Sequence, residues 1–244
     1  MSRTCTSAAE RGHLHVLKWL QEHGCPWDAN TCACAAEGGH LDVLMWLREH
    51  DCPWDISTFH YVAMAGRLEV GVWARENGCP WEEDIADTWE YVCALAAGCG
   101  HLDVLQWAHA HGFEWDYWTF ACAAESGNFH VLRWLRDNHC PWGPTTCSCA
   151  AYEGHLDVLQ WARKHGCPWD SDSCAYAAKG GHLHVLQWAR EHDCPWNAKT
   201  CREAAAHGHL AVLWWVRAKD PPCPWNEATC SWVGAYPRPL LSST

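Results

Sequence analysis

Internal repetition limits how this chain can fold more than any other feature of its sequence. The glycine that precedes His-Leu, or a variant of it, stands at Gly12, Gly39, Gly66, Gly100, Gly127, Gly154, Gly181 and Gly208, 27 residues apart except for one interval of 34. The triplet Cys-Pro-Trp follows the same steps, at Cys25, Cys52, Cys79, Cys140, Cys167, Cys194 and Cys223, with two extra residues before the last and an altered copy, Phe-Glu-Trp, beginning at Phe113. A fixed period in this range predicts a stack of like supersecondary repeats. No single repeat folds alone, because each has an apolar stripe and nothing of its own to cover it. Eight repeats and part of a ninth occupy residues 1–236 as one array, and 237–244 are read as a tail.

Each repeat reads as two short helices. In the second, Leu41, Val43, Leu44, Trp46 and Leu47 recur at helical offsets and leave Asp42, Arg48 and Glu49 for water. The first helix, as in the stretch from Thr31, carries Ala35 and Ala36, small enough to let a neighbouring helix approach closely, and Gly39 ends it. The segment from Gly166 to Asp170 then has a role for every residue. Gly166 stops the second helix, Cys167 is held extended before proline, and Pro168 cannot continue a helix. Trp169 is expected to turn inward as an anchor, and Asp170 to cap the next helix.

Composition sharpens the expectation for the core. Twenty Trp and eighteen Cys stand beside four Phe and three Met, so an interior of tryptophan, leucine, valine, alanine and cysteine is expected. Trp19, Trp46, Trp73, Trp107, Trp134, Trp161, Trp188 and Trp215 hold one register in the second helices. If each buries on the order of 150–250 Å², these rings are the main inter-repeat cohesion. Truncating an inner one such as Trp161 would then cost about 3–5 kcal/mol.

Charge and segment lengths bear on function. A net charge of −12 argues against a nucleic-acid partner, which calls for a basic face, and against an acidic membrane surface. No uninterrupted apolar run reaches the roughly 18 residues of a membrane helix. The opening stretch to Leu20 is itself a copy of the repeat and lacks the apolar run of a signal peptide. A reducing, cytoplasmic setting is therefore expected, with the cysteines as free thiols.

The core formed by Ala150, Ala151, Gly154, His155, Leu156, Val158 and Leu159 resembles the helix-turn-helix of ankyrin repeats. The stretch from His165 to Asp170 falls where ankyrin repeats carry their Gly-Ala-Asp ending. The resemblance covers nearly the whole chain and implies an all-α helical-repeat solenoid, a stack of helix-turn-helix pairs that binds proteins and has no chemistry of its own. Ankyrin repeats are longer, about 33 residues, and project a β-hairpin. Only Asp28, Ala29 and Asn30 separate Trp27 from the next helix here, so the hairpin is expected to be reduced or absent. Short tryptophan-rich forms with this Cys-Pro-Trp signature resemble repeats expanded in giant DNA viruses, protists and algae. A viral source would imply a host protein as partner and the host cytoplasm as location.

Cysteine and histidine together raise a second reading, a metal-binding or redox-responsive array. Cys25 and Cys32 are separated by six residues with His23 close by, and His165, Cys167 and Cys174 repeat the arrangement. Phe59 stands where Cys32 would, Phe113 and Phe120 replace both members of another set, and no Cys-x-x-Cys occurs. Packing thiols are the expectation, with no metal and no cofactor. The histidines of Gly-His-Leu, such as His155, are read as satisfying exposed backbone groups at a helix start. No phosphate loop, His-Glu-x-x-His or Gly-x-Ser-x-Gly motif is present, so no catalytic residue is assigned.

Recognition is then expected where the copies differ. The interval from Trp81 to Gly100 is seven residues longer than its counterparts, an insertion within 82–91 that carries Trp89 and Tyr91. The third repeat, with Gly71 in place of leucine and Arg67 in place of histidine, is expected to be the loosest. Other variable positions fall at the inter-repeat turn and on the first helix: Ile56, His60, Tyr117, Trp118, Tyr152, Lys199 and Arg202. With Trp89 and Tyr91 they form the candidate edge for a protein partner, in a chain expected to be monomeric.

Overall fold

The computed structural model describes residues 3–81, 90–219 and 221–224, with Glu90 and Tyr91 described in backbone only. The insertion residues through Trp89, the side chain of Tyr91 and the partial ninth repeat, with Trp232 and Tyr236, lie outside the described residues.

Sixteen helices and no strand are found among the described residues. First and second helices alternate: α1 (Arg3–Glu10) and α2 (Leu14–Glu22), α3 (Ala29–Gly38) and α4 (Leu41–Glu49), α5 (Ser57–Ala65) and α6 (Leu68–Glu76), α7 (Glu90–Cys99) and α8 (Leu102–Ala110). The chain continues with α9 (Tyr117–Glu125) and α10 (Phe129–Asp137), α11 (Pro144–Glu153) and α12 (Leu156–Lys164), α13 (Ser171–Gly180) and α14 (Leu183–Glu191), α15 (Ala198–Ala206) and α16 (Leu210–Ala218). The architecture is an all-α helical-repeat solenoid whose inter-repeat links, apart from the incompletely described one between α6 and α7, are turns of a few residues. Two compact bodies are formed, one from the residues up to Thr119 together with His130–Cys140, the other from Phe120–Phe129 and the residues from Pro141 on. In the first body α1 packs on α3, α3 on α5 and α5 on α7; in the second α11 packs on α13 and α13 on α15.

Alanine sets that stacking. Ala35 and Ala36 on α3, and Ala177 and Ala178 on α13, are fully buried, so neighbouring first helices meet almost backbone to backbone. Second helices contribute Val43, Leu44 and Leu47, or Val158, Leu159 and Ala162, all without exposed surface. At α6 the leucine is missing, yet the third repeat is not hollow at Gly71. A methyl group on Gly71 would lie 2.9 Å from Cγ1 of Val62, which occupies the space where sister repeats carry alanine. The expected looseness is corrected at this point by a large-for-small exchange between α5 and α6. Phe59 and Phe113, which replace cysteines, are likewise fully buried, with ring centroids 5.4 Å apart.

The helix ends follow local chemistry. Gly39, Gly154 and Gly181 close first helices in the left-handed conformation, at φ of 77°, 81° and 77°. At the other end Oδ1 of Asp170 accepts from the backbone N–H of Asp172 at 2.9 Å, and Asn197 does the same for Lys199. Gly143 has no side chain to offer, and Pro144 takes the first helical position instead.

Second helices end on a device that the repeat pattern alone does not reveal. Nδ1 of His50, His165 and His192 lies 2.8 Å from the carbonyl oxygen of the tryptophan four residues earlier, and each imidazole packs on that indole. As the donor, the ring N–H satisfies a carbonyl that the helix end leaves open. Asn77 and Asn138 make the same bond with their amide N–H.

Candidate interaction face

Tryptophan is where the structure most revises the expectation. No described tryptophan is fully buried; Trp46, Trp161 and Trp188 are half-buried, and Trp19 and Trp214 are 56% and 68% exposed. The dry interior is mainly alanine, leucine, valine and cysteine, with Phe59, Phe113 and Phe120. Indoles line one edge of it instead, and the inward anchor expected at Trp169 is only half-buried. The physical reason is volume: first helices in alanine contact leave no gap that an indole could enter.

The edge has a repeating construction. The tryptophan of a Cys-Pro-Trp turn meets the second-helix tryptophan of the next repeat edge-on or tilted: Trp27 with Trp46 at 5.7 Å between ring centroids, Trp169 with Trp188 at 5.8 Å, Trp196 with Trp215 at 6.1 Å. An arginine lies over the turn indole, Arg48 on Trp54 at 4.3 Å, Arg163 on Trp169 at 4.2 Å and Arg190 on Trp196 at 4.3 Å. The same three guanidinium groups donate to the carbonyl oxygens of Cys52, Cys167 and Cys194. These arginines are thus committed to the turn.

The Gly-His-Leu histidines also differ from expectation. None of His40, His155 and His182 caps its own helix with its side chain. Nε2 of His101 lies 3.1 Å from the carbonyl oxygen of Met64, and Nε2 of His209 lies 2.9 Å from that of Lys179, each on the first helix of the preceding repeat. The backbone group satisfied therefore belongs to the neighbour. Arg67, the substitute in the third repeat, does the same toward Glu37 with its Nε–H at 3.1 Å.

Thiols pair in a register the sequence spacing does not announce. The cysteines seven positions apart, Cys25 and Cys32, are not partners; Cys5 instead donates to Cys25 at a sulfur separation of 3.3 Å, and Cys32 bonds with Cys52. Cys5, Cys32, Cys147, Cys174 and Cys201 on first helices thus each face the Cys-Pro-Trp cysteine that closes their own repeat. Where phenylalanine intervenes the partner stays small: Cys93 donates to the carbonyl oxygen of Phe113 at 3.6 Å. Burial pushes the Cys79, Cys93 and Cys149 thiols up to about 12. Among the described residues no group of three or more His, Cys, Asp or Glu is placed to hold a metal ion.

The candidate residues separate on inspection. Ile56 is buried at 8% exposure and precedes α5 as part of the packing, so it presents no side chain to a partner, a correction to its place in the candidate edge. His60 is half-exposed, and Tyr117 and Trp118 at the start of α9 are 53% and 43% exposed. Tyr152 and Lys199 come together with two residues that sequence reasoning did not single out, Tyr176 and Lys179. The rings of Tyr152 and Tyr176 lie edge to face at 6.1 Å, with Nζ of Lys179 5.0 Å from the first and 5.6 Å from the second. Nζ of Lys199 is 5.2 Å from the Tyr176 ring and 2.9 Å from Oδ1 of Asp172, while Arg202 bonds Glu203 at 2.9 Å. The signal that could have found Tyr176 is its register, which Cys34, Cys122 and Cys149 hold in other repeats.

The corresponding face of the first body has the opposite character. Burial raises the Glu37 carboxyl, with a further contribution from Glu10, and burial raises the Tyr61 hydroxyl, aided by Cys34, Glu37 and Glu10. No helix among the described residues is long and apolar enough to cross a membrane.

No protein-family model matches the chain, and no curated protein is similar to it in sequence. Among solved structures the chain is similar to the crystal structure of the human ASB11 ankyrin repeat domain, with a TM-score of 0.53 and 16% identical residues over 67% of this chain and 84% of that one. At that identity the likeness is one of fold, and the fold of this chain is that of an ankyrin-like helical-repeat protein.

Proposed function

We propose that this protein is a non-enzymatic scaffold that holds a protein partner on the exposed edge formed by its first helices and inter-repeat turns. The observation that carries this reading is the cluster of Tyr152, Tyr176, Lys179 and Lys199, in which two ammonium groups lie over tyrosine rings on a chain of net charge −12. Lys199 already meets Asp172, and the Lys179 ammonium over the tyrosine rings is placed to meet a partner's carboxylate; tyrosine is among the side chains that most often dominate protein interfaces. Tyr117 and Trp118, and Trp89 and Tyr91 of the insertion, are further candidates for partner contact. The array acts as a monomer in the cytoplasm, without nucleic acid or membrane as ligand. In a chain of viral origin, which the Cys-Pro-Trp form resembles, the partner is a host protein.

The test is affinity capture from the native cell with the wild-type chain and with Lys179→Glu/Lys199→Glu. A protein retained by the first and lost with the second, at unchanged circular dichroism, supports the assignment. Equal retention by both chains would remove this face from the site, and the same comparison with Trp118→Ala then examines the start of α9.

A further inference from the structure

We propose that Cys5 and Cys25 form a peroxide-reactive dithiol site, at which Cys25 is oxidised first and Cys5 closes a disulfide with it. The inference stands apart from partner binding and rests on how this pair differs from its sisters. Cys32 with Cys52, Cys147 with Cys167 and Cys174 with Cys194 have the same arrangement. In those repeats the Cys-Pro-Trp sulfur is buried and donates its own proton to a backbone carbonyl of the preceding turn, Cys52 to Asp28 at 3.5 Å and Cys194 to Asp170 at 3.4 Å. Cys25 is half-exposed, and its sulfur accepts a hydrogen bond from the Cys5 thiol at 3.3 Å.

Accessibility assigns the roles. Burial, and then the bond to Cys25, push the Cys5 thiol up to about 12, so Cys5 keeps its proton and offers it to the neighbouring sulfur. The thiolate is the form that attacks peroxide, and of the two sulfurs Cys25 is the one a peroxide can reach. Solvent reaches Cys25 and does not reach Cys52, Cys167 or Cys194. Forming the disulfide requires the sulfurs to close by roughly 1 Å from their hydrogen-bonded separation.

The oxidant is a hydroperoxide, hydrogen peroxide in the simplest case. The Cys25 thiolate attacks one peroxide oxygen and the O–O bond breaks, leaving a sulfenic acid on Cys25 and a hydroxide that takes up the proton Cys25 had lost. The Cys5 sulfur then attacks the sulfenyl sulfur, the S–O bond breaks, and the departing hydroxide leaves as water with the Cys5 proton. Two thiols are oxidised by two electrons in all, and one hydrogen peroxide is reduced to two waters. The link spans 20 positions and ties α1 to the turn that follows α2.

The experiment treats the reduced full-length chain with equimolar hydrogen peroxide, alkylates the remaining thiols after unfolding, and maps the digest by mass spectrometry. Expected is the loss of two of the eighteen thiols and one linked peptide joining Cys5 to Cys25. In Cys5→Ser the intermediate persists and is trapped by dimedone on Cys25; in Cys25→Ser neither product forms. The wild-type map stands without either variant, so misfolding of a mutant leaves the proposal open to refutation. It is overturned by oxidation of another pair before this one, by sulfinic acid on Cys25 with Cys5 still alkylated, by cross-links between chains, or by eighteen unreacted thiols under conditions that oxidise an exposed control thiol.

Discussion

Two glycines of one repeat look alike in sequence and are held for different reasons. Gly154 has a φ of 81°, and a methyl group placed on it would lie 2.6 Å from Nδ1 of His182 in the next repeat. Gly166 has a φ of 85° and nothing within 4 Å of the same position. The second is kept for backbone conformation alone, the first also because a neighbour fills the space. Gly166→Ala is expected to cost about 1 kcal/mol and Gly154→Ala about 3 kcal/mol or more, read as the difference between their urea unfolding midpoints at a common slope. Equal costs would mean that the His182 ring yields without strain. The tolerance at the Gly166 register is visible elsewhere in the chain, where Asp51, His139 and Asp193 adopt φ of 58°, 61° and 63°.

At the level of the helix, burial decides which large side chain carries stability. Leu159 on α12 has no exposed surface, whereas Trp161 two positions on is half-buried, against Phe120, Trp142 and Phe129 at centroid distances of 6.5, 6.0 and 6.2 Å. Leu159→Ala is expected to cost about 3–4 kcal/mol, since it opens a cavity in alanine-tight packing. Trp161→Ala, which removes an indole at the rim that keeps part of its surface in water, is expected to cost about 2–3 kcal/mol. Denaturant melts of the two variants give the order directly; a larger loss at Trp161 would return the indoles to the core that composition suggested. The helix pattern itself was readable, because the 3.6-residue period marks a face. Period alone does not tell the middle of a face from its edge, and that distinction places Val158 and Leu159 inside and Trp161 at the rim.

For the molecule as a whole, histidine makes stability depend on pH. Burial lowers the affinity of His182 for a proton, with His184 adding to it, and burial does the same for His109, whose ring stacks on Trp115 at 3.5 Å. Folded-state values below the unfolded 6.5 mean that the unfolded chain takes up protons first as the solution is acidified. The contribution is therefore complete above about pH 6.5 and is lost as pH falls from there through the lowered values. Melting temperatures at pH 7.5, 6.5 and 5.5 should decline in that order, and His182→Asn should flatten the decline. A melting temperature that rises on acidification would show these rings gaining a partner in the fold, contrary to the burial seen here.

Much of this architecture is written locally. The period, the two helices per repeat, the glycine stops, the proline bend and the Asp170 cap each depend on residues within one turn of chain, and their chemistry acts whatever surrounds them. The partners of side chains that reach across repeats were settled only in three dimensions. The 27-residue step brings Cys5 to Cys25 rather than Cys25 to Cys32, sends the Gly-His-Leu histidines to the neighbour's carbonyls, and gathers Tyr176 and Lys179 beside Tyr152 and Lys199. The position of the indoles belongs to the same class. Composition names what is available to fill a core, but the distance between packed helices sets what fits, and alanine at the first-helix contacts closes that distance before tryptophan can enter.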